Sequence, residues 1–188
     1  MRTLTLILVA SGLLAFAFRS PLFSDHHPQQ KKYVCSPCGN DCDKHIYDKP
    51  GMCSSCGMTL IDQSTITFTE LDFEAVCARL KANPKALLLD VRSPAEFQGT
   101  STDVPSYGHF RDAININVSA LEARVGELAK YKDQEVIVYC SHSHRSPIAS
   151  YFLSTHGFKN VKNVTGGVST LEAGRPACLA PYYVVHNK

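Results

Sequence analysis

The sequence predicts an α/β fold: a parallel sheet with helices on both faces, preceded by a small zinc-ribbon-like module. Three observations predict it. Continuous apolar runs, "ALLLDV" and "EVIVYC", are what strands covered on both faces require. Segments with helical apolar spacing alternate with these runs, which is the pattern of strand–helix–strand units. Of eight cysteines, five crowd into positions 35 to 56, ahead of that alternation. The chain has 188 residues, 44% hydrophobic and 19% charged, enough for one domain plus extras. A net charge of only +2 implies no large basic face, so nucleic acid is not an expected partner.

The first eighteen residues, "MRTLTLILVASGLLAFAF", carry one positive charge and then an apolar run over 4–18. A spanning helix wants about 20 apolar residues, and "AFA" has the small-x-small form of a cleavage site. Residues 1–18 read as a signal peptide or as a membrane anchor that tethers the chain through residues 4–18. Either places the mature protein outside the cytoplasm, in the periplasm or cell envelope. Residues 19–32 are polar and aperiodic, as a linker is.

Residues 33–61 hold Cys35-x2-Cys38 and Cys53-x2-Cys56, fourteen residues apart. Two such pairs aim four sulfurs at one ion, and a closed site of four cysteines suits Zn²⁺. The predicted ligands are Cys35, Cys38, Cys53 and Cys56; Cys42 and His45 could replace one of them, extend the site or stay free, and staying free is the simpler reading. A disulfide staple is the other reading of the same spacing. "PGMCSSCGMTL" resembles the second half of a short heavy-metal-binding domain, through Pro50, Gly51, Cys53, Cys56, Gly57, Met58 and Leu60. The first half departs from it, with Ser36 for proline and Cys38 for histidine. The resemblance implies metal binding, of Zn²⁺ or of copper or another heavy metal.

The larger domain is expected over 64–185. "TITFT" reads as a strand. The next helix is expected to be capped by Thr69, with Phe73, Val76, Cys77 and Leu80 on its apolar face. Cys77 reads as a small buried core residue. After "ALLLDV" comes a short strand, "INI". Then "SALEARVGELAKY" opens with a capping-box pattern, Ser119 and Glu122, and a stripe of Leu121, Val125 and Leu128. "EVIVYC" is a buried strand. "SPIASYFLSTHG" is a helix with Pro147 in its first turn and Gly157 at its stop. "VKNV" is a further strand, and Gly166 and Gly167 open the last helical segment.

In such sheets, sites form at the carboxyl ends of strands. Cys140 stands at one of these ends, in front of a helix expected to start near Ser146. Loop N–H groups and the helix N-terminus favour a thiolate there, and favour anions beside it. Cys140 is the expected nucleophile and Arg145 the expected charge stabiliser. Ser141, His142, Ser143, His144 and Ser146 are expected to line the substrate position.

The stretches "LLLDVRSPAEFQGT", "GHFRDAININV" and "VIVYCSHSHRSPIASYFLSTHGFKNVKNVTGGV" resemble the rhodanese family of single-domain sulfurtransferases. The resemblance places the sulfur-accepting cysteine at Cys140, the loop-closing arginine at Arg145 and the helix-starting serine at Ser146. Asp90, Arg92 and Glu96 match its first signature, and Gly108, His109, Ala113 and Asn115 its second. Phosphatase relatives have five residues between cysteine and arginine; here there are four, which suits sulfur transfer. Ser143 stands where glycine is frequent, so a positive φ there is a point of strain. Arg92 and Glu96 are expected to pair behind the site, His109 to make a structural hydrogen bond, and "GTSTDVPSYGHF" to rim the site. The resemblance implies that a sulfane sulfur moves from thiosulfate or a similar small anionic donor, through a Cys140 persulfide, to a thiol or cyanide. It implies no organic cofactor. A non-catalytic persulfide carrier, a metal-sensing envelope protein and a dithiol redox protein are the alternatives.

Overall fold

A computed structural model describes residues 30–186. The expected signal or anchor, and all but the last three residues of the linker, lie outside the described residues. Three short strands build the N-terminal module: β1 (Tyr33–Cys35), β2 (Ile46–Tyr47) and β3 (Leu60–Asp62), both partners antiparallel to β1. The larger unit follows in chain order: β4 (Thr69–Leu71), α1 (Phe73–Ala82), β5 (Leu87–Asp90), α2 (Pro94–Gln98), β6 (His109–Phe110), β7 (Ile114–Asn115) and α3 (Leu121–Arg124). Then come β8 (Glu135–Tyr139), α4 (Arg145–Thr155), β9 (Asn160–Val164) and β10 (Tyr183–Val184).

The central sheet has the order β4-β9-β8-β5-β7 and every pairing in it is parallel. The two-residue period of its strands sorts the core. Leu88, Ile137, Tyr139 and Val164 face α1, while Leu87, Leu89, Val136, Val138 and Cys140 face Ala149 and Leu153 of α4. Cys140 thus continues the apolar face of β8 into the loop. β10 pairs antiparallel with β6 as a separate two-stranded sheet.

Several local expectations are corrected. The strand expected in "TITFT" lies at β4, because parallel pairing of Thr69–Leu71 with Lys162, Asn163 and Val164 fixes it there. Thr69 is therefore not the helix cap. Asp72 is, its side chain accepting the Ala75 N–H at 2.8 Å. The capping box at Ser119 and Glu122 does not form. Asn117 takes the Ser119 N–H and hydroxyl, winding Val118–Ala120 into a 3-10 turn. The chain makes its capping box at Ser93 and Glu96 instead, opening α2 behind Pro94. Cys77 is buried on α1 as expected, but it is not a lone thiol: it is disulfide-bonded to Cys178.

Candidate active site and cysteine cluster

The loop after β8 is fixed from within and from the neighbouring turn. The carbonyls of Cys140 and Ser141 accept the N–H groups of Val168 and Ser169 at 2.9 and 3.0 Å. Gly167 makes this approach possible: a Cβ there would lie 2.2 Å from the Ser141 carbonyl oxygen. Cys140 is buried, with Sγ 3.5 Å from the Ser146 hydroxyl. Among the described residues, the N–H groups of Ser141, His142, Ser143, His144 and Arg145 meet no hydrogen-bond acceptor. Five free donors in one short turn ahead of a helix are the chemistry that suits an anion.

Arg145 closes this loop, but its bonds do not run to the cysteine. Its guanidinium donates to both Glu96 oxygens, at 2.6 and 2.7 Å, and to the Ser141 hydroxyl at 2.6 Å. The expected Arg92–Glu96 pair is replaced by two others. Arg92 is fully buried and pairs with Asp90 at 2.6 Å, donating also to the Gly108 carbonyl, while Glu96 pairs with Arg145. Asp90 also accepts the Arg92 N–H, so it fixes nearby backbone. Burial by itself would raise the Glu96 pKa. The Arg145 hydrogen bonds, the Ser93 N–H and the Arg145 charge outweigh it and hold the carboxyl at about 2.

Ser143 has φ +61°, and its hydroxyl donates to the Val164 carbonyl at 3.2 Å. His142 and His144 are exposed. His142 Nε2 lies 3.3 Å from the hydroxyl of Tyr107, which brings the polar insertion to the rim of the loop. α4 begins at Arg145, one residue before the expected start, with His144 at its N-cap. Ser146 is buried beside the cysteine sulfur. His109 bonds to His186 at 2.9 Å, a partner 77 residues away. Sequence reasoning missed Tyr107 and the glutamate's true partner. The Ser93-x-x-Glu96 spacing was the visible sign that Glu96 belongs to α2.

In the module, the thiols of Cys35, Cys38, Cys42 and Cys56 lie within 4.8 Å of one another. Cys42 takes the place expected for Cys53. The nearest pairs are Cys35–Cys56 at 3.3 Å and Cys38–Cys42 at 3.7 Å. Sulfurs bound tetrahedrally at about 2.3 Å stand about 3.8 Å apart, so this donor set fits a zinc-sized ion. Burial, then hydrogen bonding with neighbouring thiols, pushes Cys42 up to about 12 and raises Cys35 as well. Ionising such a set requires a positive ion among the sulfurs. Cys53 sits beside the group, 3.7 Å from the Tyr47 hydroxyl. N–H groups of Cys56 and Ser55 lower its pKa to about 6.

A cysteine at the head of a tight loop, between a central parallel strand and its following helix, defines an α/β domain with its candidate site at the carboxyl end of the sheet. Residues 74–173 match the family model for the rhodanese-like domain, and the chain belongs to that family. It is 31% identical to a sulfurtransferase of Allochromatium vinosum over 99 residues, 53% of this chain and 83% of that protein. It is 33% identical to a tRNA uridine(34) hydroxylase of Hamiltonella defensa over 90 residues, 46% of this chain but 23% of that protein. Among solved structures, a rhodanese-related protein from Thermoplasma volcanium is 33% identical. The likeness covers 58% of this chain and 96% of that one, with a TM-score of 0.44.

Proposed function

We propose that the chain is a thiosulfate-type sulfurtransferase working through a Cys140 persulfide. The observation that carries this reading is the row of five N–H groups over 141–145 without a protein acceptor, in the loop that follows a cysteine at a strand end. The Cys140 thiolate attacks the outer sulfur of thiosulfate. The S–S bond of the donor breaks, sulfite leaves with its electron pair, and a terminal sulfur remains on Cys140 as an anion. Loop N–H groups hold that charge. Cyanide or a thiolate then attacks the terminal sulfur, and the Cys140 thiolate returns as leaving group. Arg145 holds the loop in shape through Ser141 and Glu96. The family resemblance and the sulfurtransferase relative support the same chemistry.

The cysteine module is the proposed zinc site, held by Cys35, Cys38, Cys42 and Cys56. Four protein ligands leave no open position, so the ion supplies shape rather than reactivity. Export is supported by the apolar segment at 4–18 and by the Cys77–Cys178 bond, which suits an oxidising compartment.

Intact mass after thiosulfate treatment tests the reaction. A gain of about 32 Da, one sulfur, is expected in the wild type and absent in Cys140→Ser. Release of that mass by cyanide completes the cycle. A gain that survives Cys140→Ser overturns the assignment.

A further inference from the structure

We infer that the cysteine module is a positioning element for the Cys140 loop, acting through Gly39 and dependent on the ion that the module holds. This rests on the proposed roles of the loop and the module.

Gly39 follows Cys38 directly and has φ +77°. A Cβ at Gly39 would lie 2.0 Å from the Ser143 carbonyl oxygen and 2.8 Å from His144 Cα. The module backbone therefore rests on the loop with no room for a methyl group. It touches the loop where φ is already +61°, at Ser143. Gly167 bears on Ser141 of the same loop in the same way. The loop is thus met closely by two glycines, one from its own domain and one from the module.

What places Gly39 is the turn that carries the cluster. The N–H groups of Gly39 and Cys38 donate to one oxygen of Asp43, at 2.7 and 2.9 Å. Cys38 and Cys42, both in the cluster, bracket this turn. A cavity of about 500 Å³ opens beside the contact, lined by Pro37 and Asp43 of the module and by Ile66, Phe68, Glu70 and Pro147 of the larger domain. This gap interrupts packing between the module and the larger domain, and the module must keep its own shape. Its buried residues are mostly the cysteines themselves, with Val34, Pro37 and Leu60. A unit of about thirty residues with so small a core takes its folding energy from its ion. Losing the ion removes the Gly39 contact from the loop and lets Ser143 leave the left-handed region.

Gly57 provides a matched control. It also follows a cluster cysteine and has φ +73°, but nothing lies within 4 Å of its added Cβ. The test uses the full chain as wild type, Gly39→Ala and Gly57→Ala, each with zinc and after chelation. Zinc content, hydrogen exchange over 140–146 and kcat/KM for thiosulfate are read. Zinc removal from the wild type should speed exchange in the loop about tenfold or more. Gly39→Ala with zinc bound should show a similar gain and about a tenfold lower kcat/KM. Gly57→Ala with zinc bound should match the wild type in both. If Gly39→Ala binds no zinc, its loop should exchange as the zinc-free wild type does. Loop exchange indifferent to zinc overturns the inference, as do two alanine variants that behave alike with zinc bound. Absence of sulfur transfer in the wild type would sink the proposed reaction, and the exchange measurements would still decide the positioning role.

Discussion

Arg145 and Glu96 are joined by two parallel hydrogen bonds, 2.6 and 2.7 Å long, so the arginine of the Cys140 loop is anchored to α2. The glutamate is buried and the guanidinium about one-third exposed. Because the folded pKa of Glu96, about 2, lies below its ordinary value, the pair stabilises the fold above the unfolded pKa. That contribution is lost as pH falls through the folded value. After discounting for solvent at Arg145, it is about 1–2 kcal/mol. Glu96→Gln should lose about that much at neutral pH in urea melts, with the deficit at least halved by about pH 3. A deficit that does not change with pH would refute the ionic account.

Ser143 sets two small terms against each other. Its left-handed backbone costs about 1 kcal/mol relative to glycine, and its hydroxyl bond to the Val164 carbonyl contributes about the same. Ser143→Gly should therefore lie within about 0.5 kcal/mol of the wild type. Ser143→Ala keeps the strain and loses the bond, and should cost about 1 kcal/mol. Equal costs for both variants would show that strain at this position is negligible.

Five thiols compete for four places in the module. The geometry puts Cys42 in the set and Cys53 beside it. Zinc titration against a chelating dye should show Cys42→Ser weakened by about tenfold or more, and Cys53→Ser weakened less. The reverse order would restore the pairing expected from the two CxxC spacings.

The Cys77–Cys178 bond spans a sequence separation of 101 residues and ties α1 to the C-terminal segment. Closing so long a loop stabilises by about 4–5 kcal/mol in the chain-entropy account. Cys178→Ala should lower the urea midpoint by the equivalent of about 2–5 kcal/mol and leave sulfur loading of Cys140 intact. Loss of the added sulfur in this variant would mean that the bond acts on the site as well as on stability.

Ser106, His186 and His109 form a chain, with 2.7 Å from the serine hydroxyl to His186 and 2.9 Å between the two imidazoles. Burial lowers both histidine pKa values. His186 and Arg92 lower His109 further, against Asp90, and Arg92 lowers His186. The neutral pair is the folded form. Its stability is present above the ordinary histidine pKa of about 6.5 and is lost as pH falls below it. Thermal melts should show a larger drop in Tm from about pH 7 to 5 for the wild type than for His186→Gln. Parallel drops would remove the pair from the acid response.

The sheet and its reactive end were legible in the sequence because they are local patterns. The buried runs at 87–90 and 135–139, the apolar face of Phe73, Val76, Cys77 and Leu80, and the cysteine at a strand end all lie within a few residues of their own signals. Glycine's absence at Ser143 could likewise be read as a point of positive φ, and the backbone has it.

Strand and helix periodicity, the metal-prone thiols and the Cys140 loop were determined by the sequence alone, because each depends on neighbours along the chain. Partner choice was decided only by the tertiary structure. Arg145 rather than Arg92 takes Glu96, since Arg92 is already buried against Asp90. Cys77 meets Cys178 because α1 packs on the C-terminal turn. Gly39 meets Ser143 because the module folds back on the loop. A hydrogen bond, a disulfide or a steric contact depends on distance in space, and between residues 49 to 104 positions apart no local pattern carries that distance.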